Sequence, residues 1–252
     1  MRVMNLLPAI FDHVVARPGR YGGTQPHFIP NSSEWEFWGA FFELLRSQNS
    51  INFPFADADK KINPFFGHFG FRYHPVKRVA GYFHAGVDFD DKPKTPIFPI
   101  AAGILEYSGF GVINGKYVML SHPEIKTEDG FVLHSLYMHL RDLKVSFTSY
   151  QKMLREVSFN TYPIIHVDDK SPIGLLGQTG NADGYPHLHL QLEFRNEKGD
   201  IVIVDPLMTL GMESKENLTK DLKTEEAYQN FLSKNKDEMM KTNLSEYLKK
   251  ER

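Results

Sequence analysis

His187-Leu188-His189-Leu190-Gln191-Leu192-Glu193-Phe194 alternates without a break. Successive side chains of a strand point to opposite faces. One face therefore carries His187, His189, Gln191 and Glu193. The other carries Leu188, Leu190, Leu192 and Phe194. A strand apolar on one side and polar on the other belongs to a sheet that packs one face on a core. Asn181 to Pro186 reads as a loop, so both histidines stand at the start of the strand. Two imidazoles thus leave one face of a rigid element, in reach of a single ion. A polar sheet face with two incidental histidines has the same pattern.

Outward from this strand the chain stays β-like. GILEYSG (103–109), KYVMLS (116–121), FVLHSLYMHL (131–140) and DIVIVD (200–205) are short strands separated by turn residues. A helix of ordinary length competes only near Ser149 to Val157. Strands without intervening helices predict an antiparallel sheet or sandwich rather than a βαβ fold. The expected fold is therefore mainly β, a compact antiparallel domain over residues 53–212 with helical extensions at both ends.

Residues 1–52 hold both tryptophans and one helix. Ser33 and Glu36 have capping-box spacing, and Trp35, Trp38, Phe41, Phe42 and Leu45 recur at three and four. Such a stripe predicts a helix packed on a core, and the Phe-rich stretch Phe53–Phe71 offers a surface near the groove to receive it. Residues 213–252 are charged, with Tyr228, Phe231, Leu232, Met239, Leu244, Tyr247 and Leu248 spaced for surface helices. This tail is a candidate protein-partner surface.

The chain has 252 residues, 29 Lys plus Arg, 31 Asp plus Glu and a net charge of -2. That charge is no basic footprint, and no nucleic-acid partner is expected. There is no cysteine, which excludes disulfides, thiolate-held zinc and thiol catalysis. A metal site must use His, Asp or Glu, and 11 histidines are present. No run of 18 apolar residues exists, so no transmembrane helix is written. Arg2 followed by Val3–Phe11 is at most a degenerate export signal. Asn5 interrupts it, Asp12 and His13 end it, and no A-x-A site follows. The plainer reading is a short segment packed on the domain.

His84-Ala85-Gly86-Val87-Asp88 is a further candidate segment. Its glycine, Val87, Phe89 and the following Asp90-Asp91-Lys92-Pro93 argue against a helix. On a straight strand residues four apart lie about 13 Å apart, too far to share an ion. Both can bind one metal only if the chain bends, and Gly86 is where it can. In Leu136-Tyr137-Met138-His139-Leu140, alternation places Tyr137 and His139 on one face. Two histidines and an aspartate from these segments fill three positions of a tetrahedral zinc, leaving the open position of a catalytic site. Spacing alone does not say which histidines.

Five motifs occur in order: Gly70-Phe71-Arg72-Tyr73-His74-Pro75, His84-Ala85-Gly86-Val87-Asp88, Tyr137-Met138-His139-Leu140, Gly177-Gln178-Thr179-Gly180 and Pro186-His187-Leu188-His189. Together they resemble the lysostaphin/LytM-type zinc metalloendopeptidases of bacterial cell walls, over about residues 63–210. The resemblance implies a groove over one sheet and one zinc per chain held by His84, Asp88 and His189. It implies His139 and His187 as non-ligand catalytic histidines, and zinc-bound water as nucleophile. The substrate would be peptide cross-links of peptidoglycan, and the place the periplasm or cell envelope. Arg72, Tyr73 and Tyr137 are candidates for steadying the oxyanion or the substrate. His68 and His74 read as structural. The alternative is a LytM-type scaffold without catalysis that activates other wall hydrolases. The chain departs from the family in a longer stretch between His139 and Gly174. Extra residues there, near Phe147 to Asp168, are expected to wall the groove, with His166, Asp168 and Asp169 as surface polar residues.

Overall fold

In the computed structural model the described residues are 6–16, 27–56, 67–74, 79–146, 164–182, 185–212 and 225–234. The helix expected near Ser149–Val157 and most of the charged tail lie outside them.

The chain begins with two short strands, β1 (Val14–Ala16) and β2 (His27–Pro30), then helix α1 (Trp35–Gln48). Next come β3 (Gly70–His74), β4 (Val79–His84), β5 (Val87–Asp90) and β6 (Pro96–Ile97). The long strands follow, β7 (Gly103–Gly111), β8 (Gly115–Lys126) and β9 (Val132–Leu140), with the short β10 (Asp142–Leu143), β11 (His166–Val167) and β12 (Gly174–Leu175). The alternating segment is β13 (His187–Arg195), followed by β14 (Ile201–Val204), helix α2 (Pro206–Leu210) and helix α3 (Glu225–Lys234).

The main sheet has nine strands in the order β1-β2-β14-β13-β9-β8-β7-β11, with β5 also on β13. One side of β13 meets β9 from His189 to Arg195. The other side meets β5 at His187–Leu190 and β14 at Leu192–Arg195. Pairing is antiparallel except that β2 runs parallel to β14. Smaller sheets are β10-β12-β6 and β3-β4.

Leu188, Leu190, Leu192 and Phe194 are fully buried, as the alternation requires, with Val118, Leu120, Leu133 and Val204 beside them. Helix α1 covers this face. Trp38, Phe41, Phe42 and Leu45 are buried in the same core, and Phe41 packs edge-on to Phe194 at 5.6 Å. Burying each such side chain is worth roughly 1.5–3 kcal/mol. Trp35, counted in the stripe, stays half exposed. The expected Ser33–Glu36 capping box does not form. A 3-10 turn (Ser32–Glu34) precedes α1, and Asn31 Oδ1 accepts from the Ser33 amide (3.2 Å) and hydroxyl (2.9 Å). Asn31 wins because it stands two residues before Ser33, where the chain is still extended.

The helix lies behind β13, on the face opposite His187 and His189, and not near the expected groove. The N-terminal zone also joins the sheet itself through β2. Leu7 and Ile10 are buried, and the Leu7 amide donates to Lys126 O (2.8 Å). Leu7 and Ile10 are therefore packed against the domain. Among the described residues no helix is long and apolar enough to cross a membrane.

Candidate metal centre

The polar face of β13 meets β5 in register, His189 opposite Asp88 and His187 opposite Asp90. β4 ends at His84, and the chain turns through Ala85 and Gly86 before β5 begins. That bend brings His84 beside Asp88, as a straight strand cannot. Gly86 is required there for space. A Cβ at that position would stand 2.3 Å from Leu190 O and 2.7 Å from His189 Nε2.

Three ligand-type atoms converge. His84 Nε2 is 3.0 Å from His189 Nδ1 and 3.2 Å from Asp88 Oδ1. His189 Nδ1 is 2.9 Å from the same oxygen. His84, Asp88 and His189 are the one such group among the described residues, and all three are buried. His187 Nε2 lies 3.7 Å from Asp88 Oδ1. The His139 ring stands 4.8 Å from that of His187 and 6.0 Å from that of His189.

Backbone carbonyls fix the tautomers. The Nδ1–H of His84 donates to His68 O (2.9 Å), that of His139 to Thr179 O (2.9 Å) and that of His187 to Tyr185 O (3.0 Å). A carbonyl only accepts, so in each neutral ring Nε2 keeps a lone pair. Tyr185 also stacks on His187 at 4.4 Å. Ring nitrogens of His84 and His189 and a carboxylate oxygen of Asp88 thus meet in a buried site. Such a set can hold a cation between them.

Burial pushes the Asp88 carboxyl up, but the positive charge of His84 and His187 when those rings are protonated, with hydrogen bonds from His189 and His84, outweighs it. Asp88 is held well below the usual carboxylate range. Burial, with the charges of His187 and His189, pushes His139 down to about 3. It stands in the site as a neutral base.

The donor set fits a tetrahedral cation. Ligands at 2.0–2.2 Å from zinc lie about 3.3–3.6 Å apart, close to the separations of 2.9–3.2 Å found here. Two imidazoles and a carboxylate are zinc ligands, and the carbonyl on His84 Nδ1 is the customary outer partner of a metal-binding histidine.

Residues 82–201 match the family model described as peptidase family M23. This segment is an M23 domain. It starts in β4, two residues before His84, and ends where β14 begins, so it holds the whole cluster. Helices α1 and α2 lie outside it. No curated protein sequence matches the chain. Similar solved structures include a zinc-containing peptidase from Vibrio cholerae, 22% identical, covering 75% of this chain and 45% of that one, TM-score 0.44. The chain thus spans less than half the length of that structure. The catalytic domain of lysostaphin from Staphylococcus simulans is 24% identical over 54% of this chain and 81% of its own, TM-score 0.38. That of the prophage-encoded M23 protein EnpA from Enterococcus faecalis is 20% identical over 57% and 86%, TM-score 0.39.

Within the M23 domain the structure separates the two residues that alternation had paired. Tyr137 is fully buried on the core face, where its hydroxyl accepts from the Ile100 amide at 2.8 Å. It faces away from the cluster and is withdrawn as an oxyanion or substrate candidate. Met138 is the residue opposite His189. His139 reaches the cluster because its φ is +62°, which breaks the alternation where the β8–β9 register shifts. The side chains of Arg72, Tyr73 and His74 lie outside the described residues. His166 is exposed in β11, and Asp168 accepts from the amides of Lys170 and Ser171 in a surface turn. The residues expected to wall the groove lie almost wholly outside the described segments. Sequence reasoning missed the carbonyls of His68, Thr179 and Tyr185 as orienting groups. Thr179 stands in a motif that was visible, but a backbone acceptor leaves no mark on residue type.

Proposed function

We propose that this protein is a zinc-dependent endopeptidase that hydrolyses peptide cross-links of bacterial peptidoglycan, in the periplasm or cell envelope. The observation that carries the reading is the convergence of His84 Nε2, Asp88 Oδ1 and His189 Nδ1 with two further histidines beside them. His84, Asp88 and His189 would hold the ion. Bound there, zinc supplies a Lewis acid that lowers the pKa of a water from 15.7 to about 7 and polarises a carbonyl. The remaining chemistry belongs to the chain. His68 O and the bend at Gly86 aim His84, and Asp88 offsets the cation's charge. His139 and His187 present unprotonated Nε2 atoms, accept the proton of the attacking water and pass it to the leaving amine. Each keeps the geometry of that transfer because its Nδ1–H is tied to the backbone.

Family membership supports a peptidase, and the complete set of side chains favours catalysis over a scaffold role. The test is incubation of the purified chain with intact cross-linked peptidoglycan, with and without chelator, and identification of the released peptides by mass. Peptides freed only without chelator, and again on adding zinc back, are expected. Bound zinc without any cleavage would favour the scaffold.

A further inference from the structure

His139 is a non-glycine residue in the left-handed region, a conformation uncommon for L residues even though Asn, Asp and His adopt it more often than the others. It persists only where the surroundings hold it. The loop Gly177–Gly180 supplies the holding contacts. Thr179 donates its amide to His139 O (3.3 Å) and accepts the His139 Nδ1–H on its own carbonyl (2.9 Å). Its hydroxyl donates to Leu140 O (2.7 Å) and accepts from the Lys116 amide (2.8 Å), so it bridges two residues that face each other across β8 and β9. The His139 amide in turn donates to Asn114 O (2.9 Å) at the tip of the β7–β8 hairpin.

The loop and the hairpin tip press together at two glycines of positive φ. A Cβ on Gly115 would lie 2.2 Å from Thr179 O, and one on Gly180 would lie 2.2 Å from the Gly115 amide nitrogen. The same loop reaches the second non-ligand histidine, since the His187 amide donates to Gly177 O (3.1 Å). One four-residue loop therefore fixes the backbone of both histidines and the tautomer of one.

We propose that Thr179 is a positioning residue. Its hydroxyl anchors the carbonyl that holds His139 in the Nδ1–H tautomer, with Nε2 turned to the reacting groups at a fixed distance from His187. The proposal rests on the proton-transfer role given above to His139. The hydroxyl uses one donor and one acceptor, which serine reproduces and valine does not.

The test compares wild type, Thr179→Val and Thr179→Ser in the full chain, zinc-loaded. Long-range proton–nitrogen spectra of the imidazoles report the tautomer, and kcat, KM, zinc content and Tm are measured alongside. Thr179→Val is expected to mix the His139 tautomers and lower kcat about 10- to 100-fold, with KM and zinc content unchanged. Thr179→Ser should keep the single tautomer and a kcat within about threefold of wild type. Thr179→Ala replaces the valine variant should that one not fold. A valine variant with one His139 tautomer and wild-type kcat overturns the proposal, as does a serine variant as impaired as valine. Wild-type protein that cuts no cross-link would defeat the proposed function instead, and the imidazole spectra would then decide on Thr179 alone.

Discussion

Replacing Gly86 by alanine perturbs the site through one methyl group. The new Cβ would stand 2.3 Å from Leu190 O and 2.7 Å from His189 Nε2, where ordinary contact begins at 3.4 Å. Neither neighbour yields cheaply. Leu190 is backbone of β13 paired with Val87, and the His189 ring is a proposed ligand. The strands must part or the ring must turn. Overpacking of this kind costs about 1–3 kcal/mol, which for a domain of this size is roughly 2–10 °C in Tm. Displacing the ring should weaken zinc by about 10- to 100-fold, the usual scale for disturbing a ligand's support. Gly39→Ala is the control. Its Cβ meets nothing within 4 Å on helix α1, so it should raise stability by about 0.5–1 kcal/mol. The assay is thermal unfolding with and without zinc, and competition of each protein against a zinc-binding dye. Wild-type Tm and wild-type zinc affinity in Gly86→Ala would refute the reasoning.

His139→Ala should keep its zinc and lose about 10²- to 10⁴-fold in hydrolysis; parallel loss of metal in elemental analysis would make His139 a ligand. Burial of His122, opposed by its bond to Ala102 O and aided by the charge of His134, holds it down to about 4. It is neutral in the fold and protonated in the unfolded chain between about pH 4 and 6.5. Stability from this group is therefore complete above pH 6.5 and lost as pH falls toward 4, by about 3 kcal/mol. Urea unfolding across that window should show a shallower loss in His122→Asn than in wild type. Phe41→Ala removes a buried ring from the core behind β13 and should cost about 3–5 kcal/mol. Tm should fall by about 10 °C while zinc content stays the same, whereas raised hydrolysis at unchanged Tm would place α1 over the site.

The face of β13 was legible because strand alternation has one period and nothing in His187–Phe194 interrupts it. The bend at Gly86 was legible for a related reason, since two ligand-type residues four apart in a β segment can share an ion only if it turns. The facing of Tyr137 was not. His139 takes a positive φ that no local signal announces, because Asn114 and Thr179 impose it from elsewhere in the chain. Helix α1 was legible as a stripe, but its side of the sheet depends on Phe194 and the short strands β1 and β2. Strands of three and four residues carry too little pattern to read. The Asn31 cap escaped because the 3-10 turn shifts the start of the helix.

The central claim is that His84, Asp88 and His189 hold one zinc ion. Metal content of the purified chain, measured beside Asp88→Ala prepared in the same way, tests it most directly. The account predicts one zinc per chain in wild type and almost none in the variant, with both proteins folded by circular dichroism. A full zinc complement in folded Asp88→Ala would contradict it.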